Sequence, residues 1–457
     1  MNAPSAPARY HAEHAWLGGE TPVRDVLIEV AGGVIVEVRP GAPAGNATRL
    51  PGLTIPGLAN AHSHAFHRAL RGRVQGDVVG ARLRHKADPA GVGTFWTWRE
   101  GMYALADRLD PDSYFRLARA VYGEMVLAGI TAVGEFHYLH HAPGGARYAD
   151  PNAMGHALIA AAAEAGIRIT LLDTLYLTST VDGQPLRGAQ LRFGDGDADG
   201  WAARASGLRR APHARRGAAL HSVRAVPAEQ IGVLVAAAEG LPLHLHLSEQ
   251  RAENEDCRAR YGRSPAAVLH AHDALGPGTT AVHATHLSEV DLALLGDTGT
   301  GACLCPTTER DLADGIGPAR ALADAGSPLC LGSDSHAVVD LFEEARAVEL
   351  DERLRTERRG HFSPGELLAA ATSAGHRSIG WPDAGALAPG HRADLVSVAL
   401  DSVRTAGTEP LAGAVLAATA ADVTHVVVDG RVVVREGRHV TLDVARELRE
   451  SIGAVTG

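Results

Sequence analysis

Eight short apolar runs typical of β-strands recur along the middle of this 457-residue chain, and patterns typical of helices separate them. These runs cover residues 54–62, 131–138, 168–177, 218–226, 242–249, 280–287, 301–308 and 328–336. Alternation of strands with helices favours a parallel sheet, and eight such units favour a closed (β/α)₈ barrel. A doubly wound open sheet is the alternative, but it does not require eight strands. We therefore predict an α/β protein built on a TIM-like barrel.

The two ends of the chain have a different pattern from the middle. Near the N-terminus, two strand-like runs flank a Gly-Gly turn, and near the C-terminus Asp429-Gly430 separates two valine-rich runs, which is a hairpin signal. We predict that residues 1–54 and 386–457 join into one small β-sandwich beside a barrel at residues 55–385.

Two segments are predicted to be loops. Residues 72–94 and 180–216 follow the first and third predicted strands and lack helical or strand periodicity. Loops that follow barrel strands lie on the catalytic face, so both segments are predicted to be lids. The arginine-rich stretch at 209–216 is predicted to be a solvated surface loop.

Composition excludes several classes of protein. The net charge of −10 provides no basic surface for nucleic acid or an anionic membrane. The four cysteines include Cys303 and Cys305 within one apolar run, where they are expected to act as small hydrophobic residues in a reducing compartment. The N-terminus lacks the pattern of a secretion signal, and no apolar stretch reaches about 18 residues. We expect a cytoplasmic protein that forms a homodimer, the commonest assembly of soluble proteins.

A metal site is predicted from four residues at strand ends. His62 and His64 are separated by one serine at the end of the first run, so their side chains leave the same face of a strand. Such a pair arises readily by chance among 24 histidines, so the prediction requires partners. His246 in the fifth run and Asp334 after the eighth supply them, because barrel strand ends converge. Three imidazoles and one carboxylate suit one divalent metal ion, either zinc or iron.

Acid–base groups are predicted beside this metal site. Glu249 lies three residues after His246, where the strand gives way to a loop, and its carboxylate can accept a proton from a metal-activated water. His283 in the sixth run can orient that water, and Asp334 can assist its deprotonation. By contrast, at least two of the neighbouring histidines His137, His140 and His141 are expected to be loop or supporting residues.

Together these motifs resemble the amidohydrolase superfamily, in its branch of single-metal deaminases and related hydrolases. The resemblance rests on the segments PGLANAHSH, HLHLSE, VHATHL and GSDSH, and on ADLV and VTHVVVDGRVV near the C-terminus. Further segments, among them HSHAFHRALRGR, TFWTWRE and CPTTERDLADGI, imply hydrolysis of N-formimidoyl-L-glutamate to N-formyl-L-glutamate and ammonia in histidine degradation. The resemblance also implies a zinc ion, with iron as the alternative.

The implied substrate carries two carboxylates, which guanidinium groups bind bidentately. By analogy with the superfamily branch, the glutamate portion would be held by Arg99, Tyr138, His221 and Arg224. His67 stands where the branch usually has glutamine, and it is predicted to touch the substrate. A neutral imidazole nitrogen can donate or accept a hydrogen bond but not both, so His67 bears on substrate choice.

Two other functions remain open at this point. A deaminase of a purine-like or other heterocyclic ring would keep the barrel and the metal but would not depend on Arg99 or Arg224. A non-catalytic binding protein on the same barrel would not need its acid–base groups, yet Glu249, His283 and Asp334 are all present.

Overall fold

The computed structural model describes residues 8–74 and 95–457, which form two eight-stranded sheets. The terminal sheet contains β1 (Ala8–Ala15), β2 (Val23–Ala31), β3 (Val34–Arg39), β4 (Thr48–Pro56), β13 (Leu395–Val398), β14 (Val423–Val428), β15 (Arg431–Arg435) and β16 (Arg438–His439). The central sheet contains β5 (Leu58–Ser63), β6 (Ile130–His137), β7 (Arg168–Leu175), β8 (Ala214–Leu220), β9 (Leu243–Leu247), β10 (Thr279–His283), β11 (Gly301–Leu304) and β12 (Leu329–Leu331).

The helices lie mainly between the strands of the central sheet. Those up to residue 271 are α1 (Phe95–Ala106), α2 (Pro111–Leu127), α3 (Ala153–Ala165), α4 (Ala198–Ser206), α5 (Ala228–Ala237), α6 (Arg251–Tyr261) and α7 (Pro265–Ala271). The later ones are α8 (Glu289–Thr298), α9 (Pro306–Asp311), α10 (Ala319–Ala325), α11 (Leu341–Thr356), α12 (Pro364–Ala369), α13 (Gly375–Ser378), α14 (Pro410–Leu416) and α15 (Val444–Thr456). None of the helices described is long and apolar enough to cross a membrane.

The central sheet is a closed parallel barrel, as predicted. Its strands pair in chain order from β5 to β12. A bridge between Ser63 and Asp334 joins the last strand end to the first. There the Asp334 N–H donates to the His62 carbonyl at 3.0 Å, and the His64 N–H donates to the Asp334 carbonyl at 3.2 Å. Barrel closure therefore brings the first and last predicted metal ligands together.

The terminal sheet draws on both ends of the chain. Strand β4 pairs with the C-terminal strand β13 in antiparallel register, with Leu53 opposite Val398. A buried ion pair ties this sheet to the barrel: Arg168 at the start of β7 and Asp394 just before β13 are each 1% exposed, and Arg168 Nη1 lies 2.9 Å from Asp394 Oδ1. Asp429 in the β14–β15 turn also accepts from Arg168 Nη1, at 3.0 Å.

The prediction of one strand over 54–62 was wrong. Strand β4 ends at Pro56 in the terminal sheet, and β5 begins at Leu58 in the barrel. Between them, a Cβ on Gly57 would lie 2.2 Å from the Thr131 hydroxyl oxygen. The chain therefore passes from one sheet to the other through a contact that only glycine allows. An unbroken apolar run does not reveal this junction.

Two loop predictions and the bounds of two predicted strands need correction. The fourth barrel strand spans 214–220 rather than 218–226, so part of the stretch at 209–216 is strand; Arg215 stacks on Trp381, with 4.1 Å from guanidinium to ring centroid. The segment 180–216 also contains α4, capped by Asp197. Residues 306–308 begin α9, with Pro306 in its first turn, rather than ending a strand. Most of the predicted lid at 72–94 lies outside the described residues.

Candidate metal centre and substrate pocket

The four predicted metal ligands meet at the carboxyl end of the barrel. Ligand atoms of His62, His64, His246 and Asp334 lie within 4.8 Å of one another, and all four residues are buried. Asp334 Oδ1 is 3.2 Å from His62 Nε2 and 3.3 Å from His64 Nε2, and the Nε2 atoms of His62 and His246 are 3.2 Å apart. Tetrahedral zinc with nitrogen ligands at about 2.0–2.1 Å places its ligand atoms about 3.3 Å apart.

Hydrogen bonds outside the cluster orient two of these imidazoles. His64 Nδ1 donates to the Phe136 carbonyl at 3.0 Å, and His246 Nδ1 donates to the His221 carbonyl at 2.9 Å. In a neutral ring with its proton on Nδ1, Nε2 carries a lone pair. The lone pair of His64 then faces a carboxylate oxygen of Asp334, an arrangement that a cation between them stabilises. Together these residues form a candidate site for a divalent metal ion.

Burial favours the protonation state that metal binding needs. Burial lowers the pKa of His62 to about 3. It also lowers the pKa of His246 well below the usual value, and the neighbouring His221 adds to this shift. Neutral imidazoles are the form that binds a metal ion.

Five of the eleven non-glycine residues that have positive φ angles in the described ranges lie around the candidate metal site. Positive φ angles occur at Ser248 (50°), His283 (69°), Ala284 (51°), Asp334 (40°) and His336 (59°). Non-glycine residues adopt this conformation rarely, and such strain persists only where surrounding contacts enforce it. At Asp334, the backbone hydrogen bonds that close the barrel provide that constraint.

The predicted acid–base groups lie beside the metal ligands. His283 Nε2 is 3.7 Å from Glu249 Oε1 and 3.9 Å from Asp334 Oδ2. Its Nδ1 lies 3.3 Å from Glu309 Oε1. Burial opposes a charged His283, but the carboxylates of Glu249, Glu309 and Asp334 raise the pKa of His283 to about 10. Burial also raises the pKa of Glu249. Glu249 can therefore exchange a proton beside an imidazolium, the arrangement that general acid–base chemistry requires.

Glu309 was absent from the predicted site. It lies in α9, where its Oε1 also accepts the backbone N–H of Cys305 at 2.9 Å. The available signal was a carboxylate shortly after the seventh predicted strand, in the segment CPTTE. Helix α9 begins at Pro306, within the strand predicted over 301–308, and it places Glu309 next to His283.

A pocket with a cavity volume of about 40 Å³ opens above the predicted metal ligands. It is lined by every predicted substrate-binding residue, namely His67, Arg99, Tyr138, His221 and Arg224, together with Glu249 and His283. Aromatic side chains that were not predicted complete its walls: Phe95, Trp98, Tyr103, Tyr176 and Phe193. This lining, aromatic walls with a few convergent polar and charged groups, is typical of sites that bind small molecules.

Two arginines that line this pocket have buried donors without a partner in the described part of the chain. Arg224 is 8% exposed, and its Nε has no hydrogen-bond partner among the residues described. Nη1 of Arg99 is also buried, and it too has no hydrogen-bond partner among the described residues. The Arg99 guanidinium lies 5.1 Å from the ring centroid of Trp96 and 5.3 Å from that of Tyr103. Buried N–H donors without partners are rare, and an anionic ligand would satisfy them.

His67 and Tyr138 contact each other at the pocket wall. The Tyr138 hydroxyl lies 2.9 Å from His67 Nε2. Burial lowers the pKa of His67 well below its usual value, with the neighbouring His64 acting in the same direction. Across the pocket, the rings of Tyr138 and His221 are 5.7 Å apart. The structure thus brings His67 to the pocket as a neutral ring.

A second histidine cluster lies near the site but does not suit a metal. His137, His140 and Asp173 offer ligand atoms within reach of one another. However, Arg204 donates to both carboxylate oxygens of Asp173, at 2.8 and 2.9 Å, and His140 Nε2 contacts the Thr174 carbonyl at 3.0 Å. This cluster is a hydrogen-bonded network behind the pocket.

A buried carboxyl group below the metal site leads to a testable pH effect. Glu135 accepts hydrogen bonds from the Ser63 hydroxyl at 2.8 Å and the Ala65 N–H at 2.7 Å, and burial raises its pKa from 4.5 to about 8. The folded protein therefore binds more protons than the unfolded one between these values, and this group lowers the free energy of unfolding as pH rises. In Glu135→Gln, we expect the urea midpoint to fall less between pH 5 and 8 than in the native protein. If the urea midpoint of Glu135→Gln fell between pH 5 and 8 by as much as that of the native protein, the raised pKa of Glu135 would be contradicted.

The amidohydrolase family matches residues 53–433, and the chain belongs to that family. The formimidoylglutamate deiminase of Pseudomonas aeruginosa is 39% identical over 432 residues, covering 91% of this chain and 92% of that protein. The 8-oxoguanine deaminase of the same organism is 30% identical and covers 92% and 93%. A crystal structure of an amidohydrolase from Brucella melitensis has a TM-score of 0.90 and 32% identity, covering 98% of this chain and 100% of that one. The chain is a hydrolytic enzyme acting on C–N bonds.

Proposed function

We propose that this enzyme hydrolyses N-formimidoyl-L-glutamate to N-formyl-L-glutamate and ammonia, a step of histidine degradation. The similarity to a formimidoylglutamate deiminase over nine-tenths of the chain supports this substrate. The structural observation that carries the proposal is the pair of arginines, Arg99 and Arg224, which line the same pocket as Glu249 and His283 and have buried donors without partners among residues 8–74 and 95–457. A dicarboxylate substrate would satisfy both arginines.

We propose His62, His64, His246 and Asp334 as the ligands of one zinc ion, with iron as the alternative. When bound, the ion supplies Lewis-acid chemistry that lowers the pKa of the attacking water. Glu249 accepts one proton from that water and passes it to the formimino nitrogen, while His283 donates a hydrogen bond to the attacking oxygen. Asp334 assists removal of the second proton from the new hydroxyl group, and that proton also passes to the departing nitrogen. The formimino carbon gains a bond to the water oxygen and loses its bond to the terminal nitrogen, which leaves as ammonia.

The pocket residues would fix the substrate for this reaction. Arg224 and Arg99 bind the two carboxylates, and Tyr138, His221 and His67 pack around the carbon chain. The neutral ring of His67 can offer one donor or one acceptor at its free nitrogen, which has no partner among the described residues. Such positioning near Glu249 contributes to the rate by holding the formimino carbon within reach of the attacking water.

The similarity to an 8-oxoguanine deaminase makes a ring substrate the second candidate. The two candidate functions are distinguished by measuring kcat/KM for ammonia release by the zinc-loaded protein, with N-formimidoyl-L-glutamate and with 8-oxoguanine as substrates. We expect turnover of the formimino substrate and at most trace activity on the ring. Preferential turnover of the ring would reject the proposed function.

Arg224→Met is expected to lower kcat/KM for N-formimidoyl-L-glutamate by about 10- to 150-fold, because a hydrogen bond to a charged group is lost at about 1.5–3 kcal/mol. Methionine keeps most of the side-chain volume, and steady-state kinetics with ammonia detection measure the effect. Arg209→Met is the matched control, since the Arg209 side chain is 77% exposed. An effect no larger than that of the control would remove Arg224 from the binding site.

A further inference from the structure

Glu253 is a buried carboxylate behind the pocket, and one of its oxygens accepts no hydrogen bond from the described residues. It lies in the first turn of α6 and is 3% exposed. Its Oε1 accepts the backbone N–H of Ser248 at 3.0 Å, next to the acid–base residue Glu249. Its Oε2 is buried without a hydrogen-bond partner in the part of the chain that the structure describes. A buried charged oxygen of this kind needs a compensating charge.

The compensating charge is Arg224. Glu253 Oε2 lies 4.0 Å from Arg224 Nη1, while Arg224 Nε has no partner in the described ranges and its side chain lines the pocket. The other charged groups that act on Glu253 are Glu249 and His283, and the Cys257 thiol lies one turn further along α6. One guanidinium therefore sits between a fixed carboxylate and the space where a substrate carboxylate would bind.

We propose that Glu253 is the counter-ion of Arg224 in the free enzyme and that it takes up one proton from solvent when a substrate carboxylate binds Arg224. Two carboxylates buried against one guanidinium would leave an uncompensated negative charge, which is strongly unfavourable at low dielectric. Protonation of Oε2 removes that charge and breaks no other bond. The inference rests on the proposed function for the identity of the substrate, but it needs only a carboxylate ligand.

The electrostatics of the free protein agree with this role. Burial, opposed by Arg224, raises the pKa of Glu253 from 4.5 to about 7. A bound carboxylate would weaken the opposing effect of Arg224, so the pKa of Glu253 rises further in the complex. Below pH 7 the group already carries its proton and binding needs no uptake. Above pH 7, each unit of pH is expected to raise KM by up to tenfold.

The test compares KM for N-formimidoyl-L-glutamate between pH 6.0 and 8.5 in the zinc-loaded native enzyme and in Glu253→Gln. Glutamine keeps an oxygen acceptor for the Ser248 N–H but carries no charge. We expect KM of the native enzyme to rise about 30-fold over this range, and that of the variant by less than about threefold. Glu255→Gln, at an exposed position of the same helix, is expected to follow the native curve. A native-like rise in Glu253→Gln overturns the proposal.

Calorimetry separates this inference from the proposed function. N-formyl-L-glutamate is titrated into each protein at pH 8.5 in two buffers of different ionisation enthalpy, which counts the protons exchanged on binding. We expect uptake of about one proton by the native protein and none by Glu253→Gln. Proton uptake without any turnover would reject the substrate but keep the inference; turnover without proton uptake, or no binding of the ligand, would reject the inference.

Discussion

Glu249→Gln is expected to lower kcat for N-formimidoyl-L-glutamate by about 10²- to 10⁴-fold, the usual contribution of a positioned acid–base group. Glutamine has nearly the same shape but neither accepts nor returns the proton of the attacking water. Glu249 lies 3.7 Å from His283 and outside the four-residue ligand cluster, so the variant should bind metal as the native protein does. Single-turnover kinetics and metal content by atomic spectroscopy measure the two properties separately.

Glu255→Gln provides the control for this substitution, because it makes the same chemical change at an exposed position six residues further along. We expect its kcat to stay within about twofold of the native value, as for surface substitutions in general. A Glu249→Gln enzyme that binds metal and retains a comparable kcat would show that another group transfers the proton.

Asp394→Ala is expected to lower the free energy of unfolding by about 3–5 kcal/mol, because it removes the buried carboxylate partner of the Arg168 guanidinium and leaves it paired with the more exposed Asp429. Asp394 and Arg168 are each 1% exposed, and Asp394 also accepts the Asp429 backbone N–H at 3.0 Å. The substitution therefore removes the more buried of the two terminal-sheet carboxylates that pair with Arg168 in the barrel. Urea denaturation followed by circular dichroism measures the change.

Asp324→Ala is the matched control for stability. Asp324 pairs with Arg320 at 2.7 Å on the surface of α10, where its side chain is 66% exposed. Exposed pairs contribute about 0–1 kcal/mol, so we expect little change. If both aspartate substitutions had equally small effects, the buried pair would not be what holds the sheet against the barrel.

The barrel could be predicted from the sequence because every strand–helix unit carries its own periodicity. The four metal ligands could be predicted from the barrel, since a barrel brings the carboxyl ends of its strands together at one face. His62 and Asp334 are far apart in sequence, yet closure of the barrel places them 3.2 Å apart. The strand boundaries were harder to predict, because the break at Gly57 depends on its contact with Thr131, not on any local pattern.

Three buried carboxylates near the site could not be predicted from the sequence, because their burial depends on contacts between distant elements. Glu135, Glu253 and Glu309 lie within a strand or at helix starts, where an isolated glutamate is normally solvent-exposed. Their burial results from partners brought in by other elements, such as Arg224 for Glu253 and His283 for Glu309. The strand predicted over 218–226 was misplaced because the observed strand begins at Ala214 and continues with two arginines, of which Arg215 packs against Trp381.

The most direct test of the central claim is a metal titration of the metal-stripped protein with N-formimidoyl-L-glutamate as substrate, measuring ammonia and N-formyl-L-glutamate together. We expect no activity without metal and a linear rise that ends at one zinc ion per chain, with the two products formed in equal amounts. Full activity in the metal-stripped protein, or no ammonia at any zinc content, would contradict the account.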